Sequence, residues 1–184
     1  MYEGPGSSQI KPYYNHVFSS ASGSYDIYVL FIERANQISR INGLSGLLIP
    51  NKVLSSEYAE EVRRLLISKA AIVSVLDYSA VRVFAASVYP VVVVSEKTSM
   101  GGMVRVWSAR TNRDVLVEQS AFAKAPSLLW GYLLTDYSEI VSRALLRSEP
   151  LGIQAHVLGA ATVSEAYEIA KHVHDLDDHL VPEL

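Results

Sequence analysis

The sequence predicts an α/β fold on three observations. Amphipathic helical patterns alternate with short β-branched apolar runs, and those runs end at turn-forming residues. The chain of 184 residues, 49% hydrophobic and 19% charged, is large enough to bury them in one globular domain, or in one and a fraction.

Residues 1–24 are rich in Gly, Ser and Pro and show no sustained apolar period, which predicts an arm or loop. From Tyr25 to about Ile38, residues Ile27, Leu30, Phe31, Arg34 and Ile38 recur at helical spacing, with Asp26 placed to favour the positive end of the helix dipole. Asn42-Gly43 stops that helix, and Leu44 to Ile49 is an apolar run ending at Pro50, as in a buried strand. Ser55 or Ser56 is placed to cap a second helix whose apolar stripe is Tyr58, Val62, Leu65 and Leu66. Three strands are then expected: Ala71 to Leu76 ending at Asp77, Val81 to Phe84, and Val88 to Val94. The last two are joined by Ala85-Ala86-Ser87, so the expected sheet is mostly parallel and closes in an antiparallel hairpin.

Beyond Lys97 the pattern loosens. Gly101-Gly102 makes a turn, Met103 to Trp107 reads as a strand, Tyr137 to Leu146 has helical spacing, and Thr162-Val163-Ser164-Glu165 has the form of a capping box. The division expected is a loop or arm over 1–24, an α/β unit over 25–97, and a connector opening a mixed or helical second unit over 98–184.

Composition narrows the function classes. A net charge of −3 lacks the excess of a protein held to nucleic acid mainly by phosphate contacts, although local basic surfaces remain open. The absence of cysteine excludes disulfides and thiolate-ligated zinc. The N-terminus has neither the basic start nor the apolar stretch of a secretory signal, and no apolar run reaches the ~20 residues of a membrane span, so a cytoplasmic protein is expected. His172, His174, Asp175, Asp177, Asp178 and His179 lack an established ligand spacing, so no metal site is assigned, and no Gly-x-Ser-x-Gly elbow supports a hydrolase.

An ordered series of segments carries a family resemblance. The run Asp26-Ile27-Tyr28-Val29-Leu30-Phe31-Ile32-Glu33-Arg34-Ala35, then Gly43, then Leu47-Leu48-Ile49-Pro50-Asn51-Lys52 opens it. Tyr58, Val62-Arg63-Arg64-Leu65-Leu66, Ile72 to Asp77, Val83-Phe84 and the valine run Val91 to Val94 follow. This series resembles the second half of adenine-specific DNA methyltransferases of the type II restriction–modification subgroup that fuses methylase with nuclease. Leu151 to Ala170 is similar to the region that leads toward target recognition there.

The resemblance implies the C-terminal half of a class I, Rossmann-like methyltransferase sheet with its terminal antiparallel hairpin. It implies methyl transfer from S-adenosylmethionine to the exocyclic amine of a flipped adenine. Phe84 matches the aromatic beside that base, with Pro50 and Asn51 completing a target-base pocket, and Lys52 is the candidate DNA contact. Arg63, Arg64, Lys69 and Arg82 add modest positive charge and read as a solvated face.

Two family elements are missing. No Asn/Asp-Pro-Pro-Tyr or Phe loop is present, the nearest string being Lys11-Pro12-Tyr13-Tyr14, and Gly4-Pro5-Gly6 neither follows a strand nor precedes a helix. No catalytic or cofactor-binding residue is therefore assigned. The expectation is a fragment or split subunit that is inactive alone and partnered by DNA and by a separate chain carrying the N-terminal half. The alternative is a non-catalytic DNA-binding or assembly module on the same scaffold.

Overall fold

The computed structural model of the chain describes residues 7–84, 88–98, 101–149 and 151–155. Two compact units divide it, Met1–Arg147 and Ser148–Leu184. The first unit holds a five-stranded mixed sheet made of β1 (Leu44–Pro50), β2 (Ala71–Asp77), β3 (Pro90–Glu96), β4 (Met103–Ser108) and β5 (Arg113–Glu118). Their spatial order is β1-β3-β2-β4-β5. β3 runs antiparallel between β1 and β2, β4 runs parallel to β2, and β5 is antiparallel to β4. The α/β class is as expected, but the sheet is less parallel than expected, because β3 lies between β1 and β2 and β5 turns back on β4.

The expected strand at Val81 to Phe84 does not form. Both edges of β3 are already taken by β1 and β2, so a hairpin partner would find no free edge. The segment instead folds on itself, with Val81 N–H donating to the Tyr78 carbonyl and Val83 N–H to the Val81 carbonyl. The antiparallel hairpin is β2 with β3, joined by a long connection. β4 pairs with β2, so one sheet runs through to Glu118.

Six α-helices accompany the strands among the described residues: α1 (Ser7–Val17), α2 (Tyr28–Ile38), α3 (Glu60–Lys69), α4 (Gln119–Lys124), α5 (Ser138–Arg147) and, in the second unit, α6 (Leu151–Gln154). α1 occupies part of the expected arm despite Pro12 in its interior. Tyr14 and Phe18, one helical turn apart, pack on the core, and that anchoring offsets the hydrogen bond Pro12 cannot make.

α2 buries Val29, Leu30, Ile32, Glu33 and Asn36, not the stripe expected from spacing: Ile27, Phe31 and Ile38 face outward. Asp26 precedes the helix and accepts from Val29 N–H through its backbone carbonyl. At the far end Asn42 takes a positive φ of 60°, which asparagine tolerates, and the chain enters β1. In α3 the expected stripe holds, with Val62, Leu65 and Leu66 buried. Ser56 makes no side-chain cap, since a 3-10 turn at Glu57–Ala59 intervenes.

The core lies on one face of the sheet. Leu47, Ile49, Val75, Val91, Val93, Val104 and Val106 meet Val29, Val62, Leu66, Phe122 and Trp130 there. Trp130 and Phe122 pack edge to face with centroids 5.2 Å apart, and the Trp130 indole N–H donates to the Phe122 carbonyl at 3.2 Å. This layer fixes β1, β2 and β4 parallel to one another, so their C-terminal ends open at one end of the sheet.

Candidate functional site

Loops beyond the carboxyl ends of parallel strands are where open α/β sheets place their ligands. Here those loops begin at Pro50, Asp77 and Ser108. They are braced to one another by backbone hydrogen bonds: Asn51 N–H donates to the Tyr89 carbonyl at 2.8 Å, Tyr78 N–H to the Pro90 carbonyl at 3.0 Å, and Ala109 N–H to the Asp77 carbonyl at 3.0 Å. Asp77 is buried and braces two exits at once, accepting from Ser79 N–H at 2.8 Å and from the Ser108 hydroxyl at 3.2 Å. Tyr78 and Trp107 pack against each other with ring planes tilted by 53° and centroids 4.8 Å apart. Both oxygens of Asp77 are thus engaged by neutral donors, which suits a structural bracket.

The sequence-predicted residues fall on this end. Pro50 closes β1 opposite Pro90. Asn51 is tied by its backbone to Tyr89, five positions after Phe84, which joins the β1 exit to the end of the loop that bears the aromatic ring. Phe84 is 45% exposed, and Tyr89 in the same connection is 57% exposed, so neither ring is spent on the core. Lys52 is exposed and enters no ion pair among the described residues.

Sequence reasoning placed Arg63 on a solvated face, and the structure corrects it. Arg63 is fully buried, and its Nη1 donates to the carbonyls of Val53 at 2.9 Å and Ser56 at 2.8 Å, with Nη2 donating to Ser127 at 3.4 Å. Its Nε has no partner among the described residues, and burial lowers the pKa of the guanidinium. Arg63 therefore anchors the exit loop after β1 from below. Arg64 is exposed and pairs with Glu60 at 2.6 Å.

Neither missing loop is found. Lys11-Pro12-Tyr13-Tyr14 lies inside α1, with Tyr14 packed on the core, so it is no catalytic loop. A cofactor loop of the nucleotide-binding type needs glycines between a strand and a helix N-terminus, where the backbone approaches the ligand closely. The chain leaving β1, β2 and β4 here, over 51–56, 78–84 and 109–112, contains no glycine. Gly101 and Gly102 precede β4 instead, and a Cβ on Gly101 would lie 2.7 Å from the Gln119 side chain. The residues described do not fit S-adenosylmethionine. A recess of about 440 Å³ beside Gly101, Met103 and Glu118 sits at the opposite end of the sheet, with Glu118 its one ionisable lining residue. The histidine- and aspartate-rich tail and the Thr162 capping box lie outside the described residues, as does most of Leu151 to Ala170.

Residues 3–84 match the family described as Eco57I restriction-modification methylase. Over that stretch the chain is similar to restriction-modification methylases. The match ends on Phe84 and takes in α1 through β2 with the chain leaving β1 and β2, while β3, β4 and the β4 exit lie beyond it. No curated protein matches. Among solved structures, the type IIG restriction endonuclease BpuSI aligns with 80% of this chain and 21% of its own, at TM-score 0.59 and 10% identity, a likeness of fold alone. The M protein of the type I restriction enzyme EcoKI aligns with 50% of this chain and 23% of its own, at TM-score 0.41 and 18% identity. A type I R-M assembly aligns with 47% and 19%, at TM-score 0.40 and 15% identity. The chain spans about a fifth to a quarter of the length of these structures. No helix among the described residues is long and apolar enough to cross a membrane.

Proposed function

We propose that the chain is one part of an adenine-specific DNA methyltransferase of a restriction–modification or related phage-defence system. The observation that carries this reading is the match over residues 3–84, which spans the exits of β1 and β2 and stops at the exposed ring of Phe84. In this role Phe84 stacks on the flipped base, Pro50 and Asn51 shape the pocket beside it, and Lys52 contacts a DNA phosphate. Arg63 keeps the Pro50-Asn51-Lys52 loop in place. The described turns do not suit S-adenosylmethionine, so its binding loop and the groups that polarise the adenine amine come from outside these residues, on a separate polypeptide in a split enzyme. This chain contributes the base-side wall and the DNA contact.

The glycine-free exits also favour a second reading, a DNA-binding or assembly module that performs no transfer. One experiment separates the two. Labelled methyl transfer from S-adenosylmethionine to unmodified DNA is measured with the chain alone and with the chain co-expressed with the product of its upstream reading frame. Transfer confined to the mixture supports the split enzyme. No transfer in either, from soluble folded chain, leaves the module.

A further inference from the structure

The turn between β4 and β5 stands at the strand-exit end and presents an arginine that the fold itself does not use. Ala109 to Asn112 join the two strands, and Asn112 closes the turn at a φ of 52°, a conformation asparagine tolerates. The turn is firmly braced. Ala109 N–H donates to the Asp77 carbonyl at 3.0 Å, Arg110 N–H to the Ser108 hydroxyl at 3.3 Å, and the Thr111 hydroxyl to the Leu134 carbonyl at 3.2 Å. At its base Arg113 Nη2 donates to the Ser138 hydroxyl at 2.7 Å, and both Leu134 and Ser138 are buried fixed points. The Arg110 side chain is exposed and enters no ion pair among the described residues.

The acids of this region leave that charge available. Asp77 is buried between the Ser79 N–H and the Ser108 hydroxyl, and Asp114 is held by Arg105 through two hydrogen bonds of 2.9 and 2.7 Å. Asp136, two residues past Leu134, forms no ion pair among the described residues. Strand order then sets the spacing. β1 and β4 are three strand intervals apart, about 14 Å, so Lys52 just after β1 and Arg110 just after β4 stand about that far from one another along the end of the sheet. The connection that bears Phe84 leaves β2, which lies between them in the sheet. Charges along one DNA strand are about 3.4 Å apart along the axis, so this interval spans about four phosphates. A base turned out of the duplex rotates about its own backbone, and contacts to the phosphates on both of its sides fix the register in which it leaves.

We propose that Arg110 is a positioning residue that grips a DNA phosphate on the side of the flipped adenine opposite the phosphate held by Lys52. The proposal rests on the methyltransferase reading of Lys52 and Phe84, and it extends the DNA contact to a turn outside the matched residues 3–84. The rigid turn supplies what a phosphate contact needs, a guanidinium on a backbone that is already ordered.

The test uses the full chain, alone and co-expressed with the product of its upstream reading frame, titrated against a short duplex with one unpaired adenine at its centre. The unpaired base sets the register, and single phosphates on either side are replaced in turn by uncharged methylphosphonates. Arg110→Ala should lower the slope of log affinity against log salt by about 0.9 at unchanged melting temperature, and Arg110→Lys should keep the slope. One methylphosphonate should abolish the effect of Arg110→Ala, and another, about four phosphates away across the adenine, that of Lys52→Ala. A slope that Lys52→Ala lowers and Arg110→Ala does not would overturn the proposal and leave the methyltransferase reading standing. So would two effects abolished on the same side of the adenine. Slopes unchanged in both variants would sink Arg110 and the Lys52 contact together. Methyl transfer on the same material separates the remaining case: contacts on both sides without transfer uphold Arg110 and sink the enzyme.

Discussion

Glu33 shows how one buried carboxylate sets local structure. It accepts from Ser20 N–H at 2.8 Å, the Ser20 hydroxyl at 2.7 Å, and Ser19 N–H and hydroxyl at 3.1 Å each, clamping the chain after α1 to α2. Burial pushes this carboxyl up, but the donors of Ser20 and Ser19 together outweigh it and hold the group below its ordinary value. A folded pKa below the unfolded one stabilises the fold above about pH 4.3, and that contribution is lost as pH falls through the folded value. Glu33→Gln should flatten the fall in melting temperature on acidification below pH ~4.5, and Glu33→Ala should cost about 2–4 kcal/mol in denaturant unfolding. An unchanged acid profile in Glu33→Gln would remove the clamp from the account. Arg63 acts similarly with opposite charge. Its loss leaves the Val53 and Ser56 carbonyls without their donor, so Arg63→Met should cost about 2–4 kcal/mol. Faster amide exchange at Ser55 and Ser56, both bonded to the Lys52 carbonyl, should accompany it. Exchange unaltered there would mean that Arg63 does not hold the exit loop.

At the scale of elements, the bulge in β2 shows what a strand needs beyond its own pattern. Ile72 pairs with Ser95 and Ser74 with Val94, so Val73 is an extra residue that shifts the register. The buried Gln119 side chain meets the backbone groups beside it, accepting from Ile72 N–H at 2.8 Å and donating to the Ala70 carbonyl at 3.0 Å. Gln119→Ala should destabilise by about 2–3 kcal/mol in thermal or urea unfolding, and Gln119→Glu should also destabilise by placing a charge against the Ala70 carbonyl. A neutral Gln119→Ala would show that water replaces the amide. The strands β1 and β2 were legible because their β-branched and leucine runs stop at Pro50 and Asp77. α1 was not, since Pro12 and the neighbouring serines mask a helix held mainly by Tyr14 and Phe18. Nor could composition show that Val81 to Val83 would be refused a strand, because that depends on β3 having both edges occupied.

For the whole molecule, the order of segments was legible and the surroundings of the candidate site were not. Pro50, Asn51 and Lys52 stand at the end of β1 and just after it, and Phe84 lies in the connection after β2. The burial of Arg63, by contrast, depends in part on a carbonyl 64 residues away, which no local pattern records. Net charge adds a constraint on function. At −3 the chain lacks a diffuse positive field, so any DNA affinity it contributes comes from few phosphate contacts and falls gently with salt. Lys52→Ala in the assembled complex should weaken DNA binding uniformly across sequences and reduce the slope of log affinity against log salt by about 0.9. Phe84→Ala should leave that slope unchanged and weaken binding more to DNA with an already unpaired adenine than to a perfect duplex, since stacking on an extruded base is worth about 1–3 kcal/mol. Titrations of both variants across a salt series distinguish the roles: a slope that moves with Phe84, or stays fixed with Lys52, would reverse the assignment of phosphate contact and base contact at this end of the sheet.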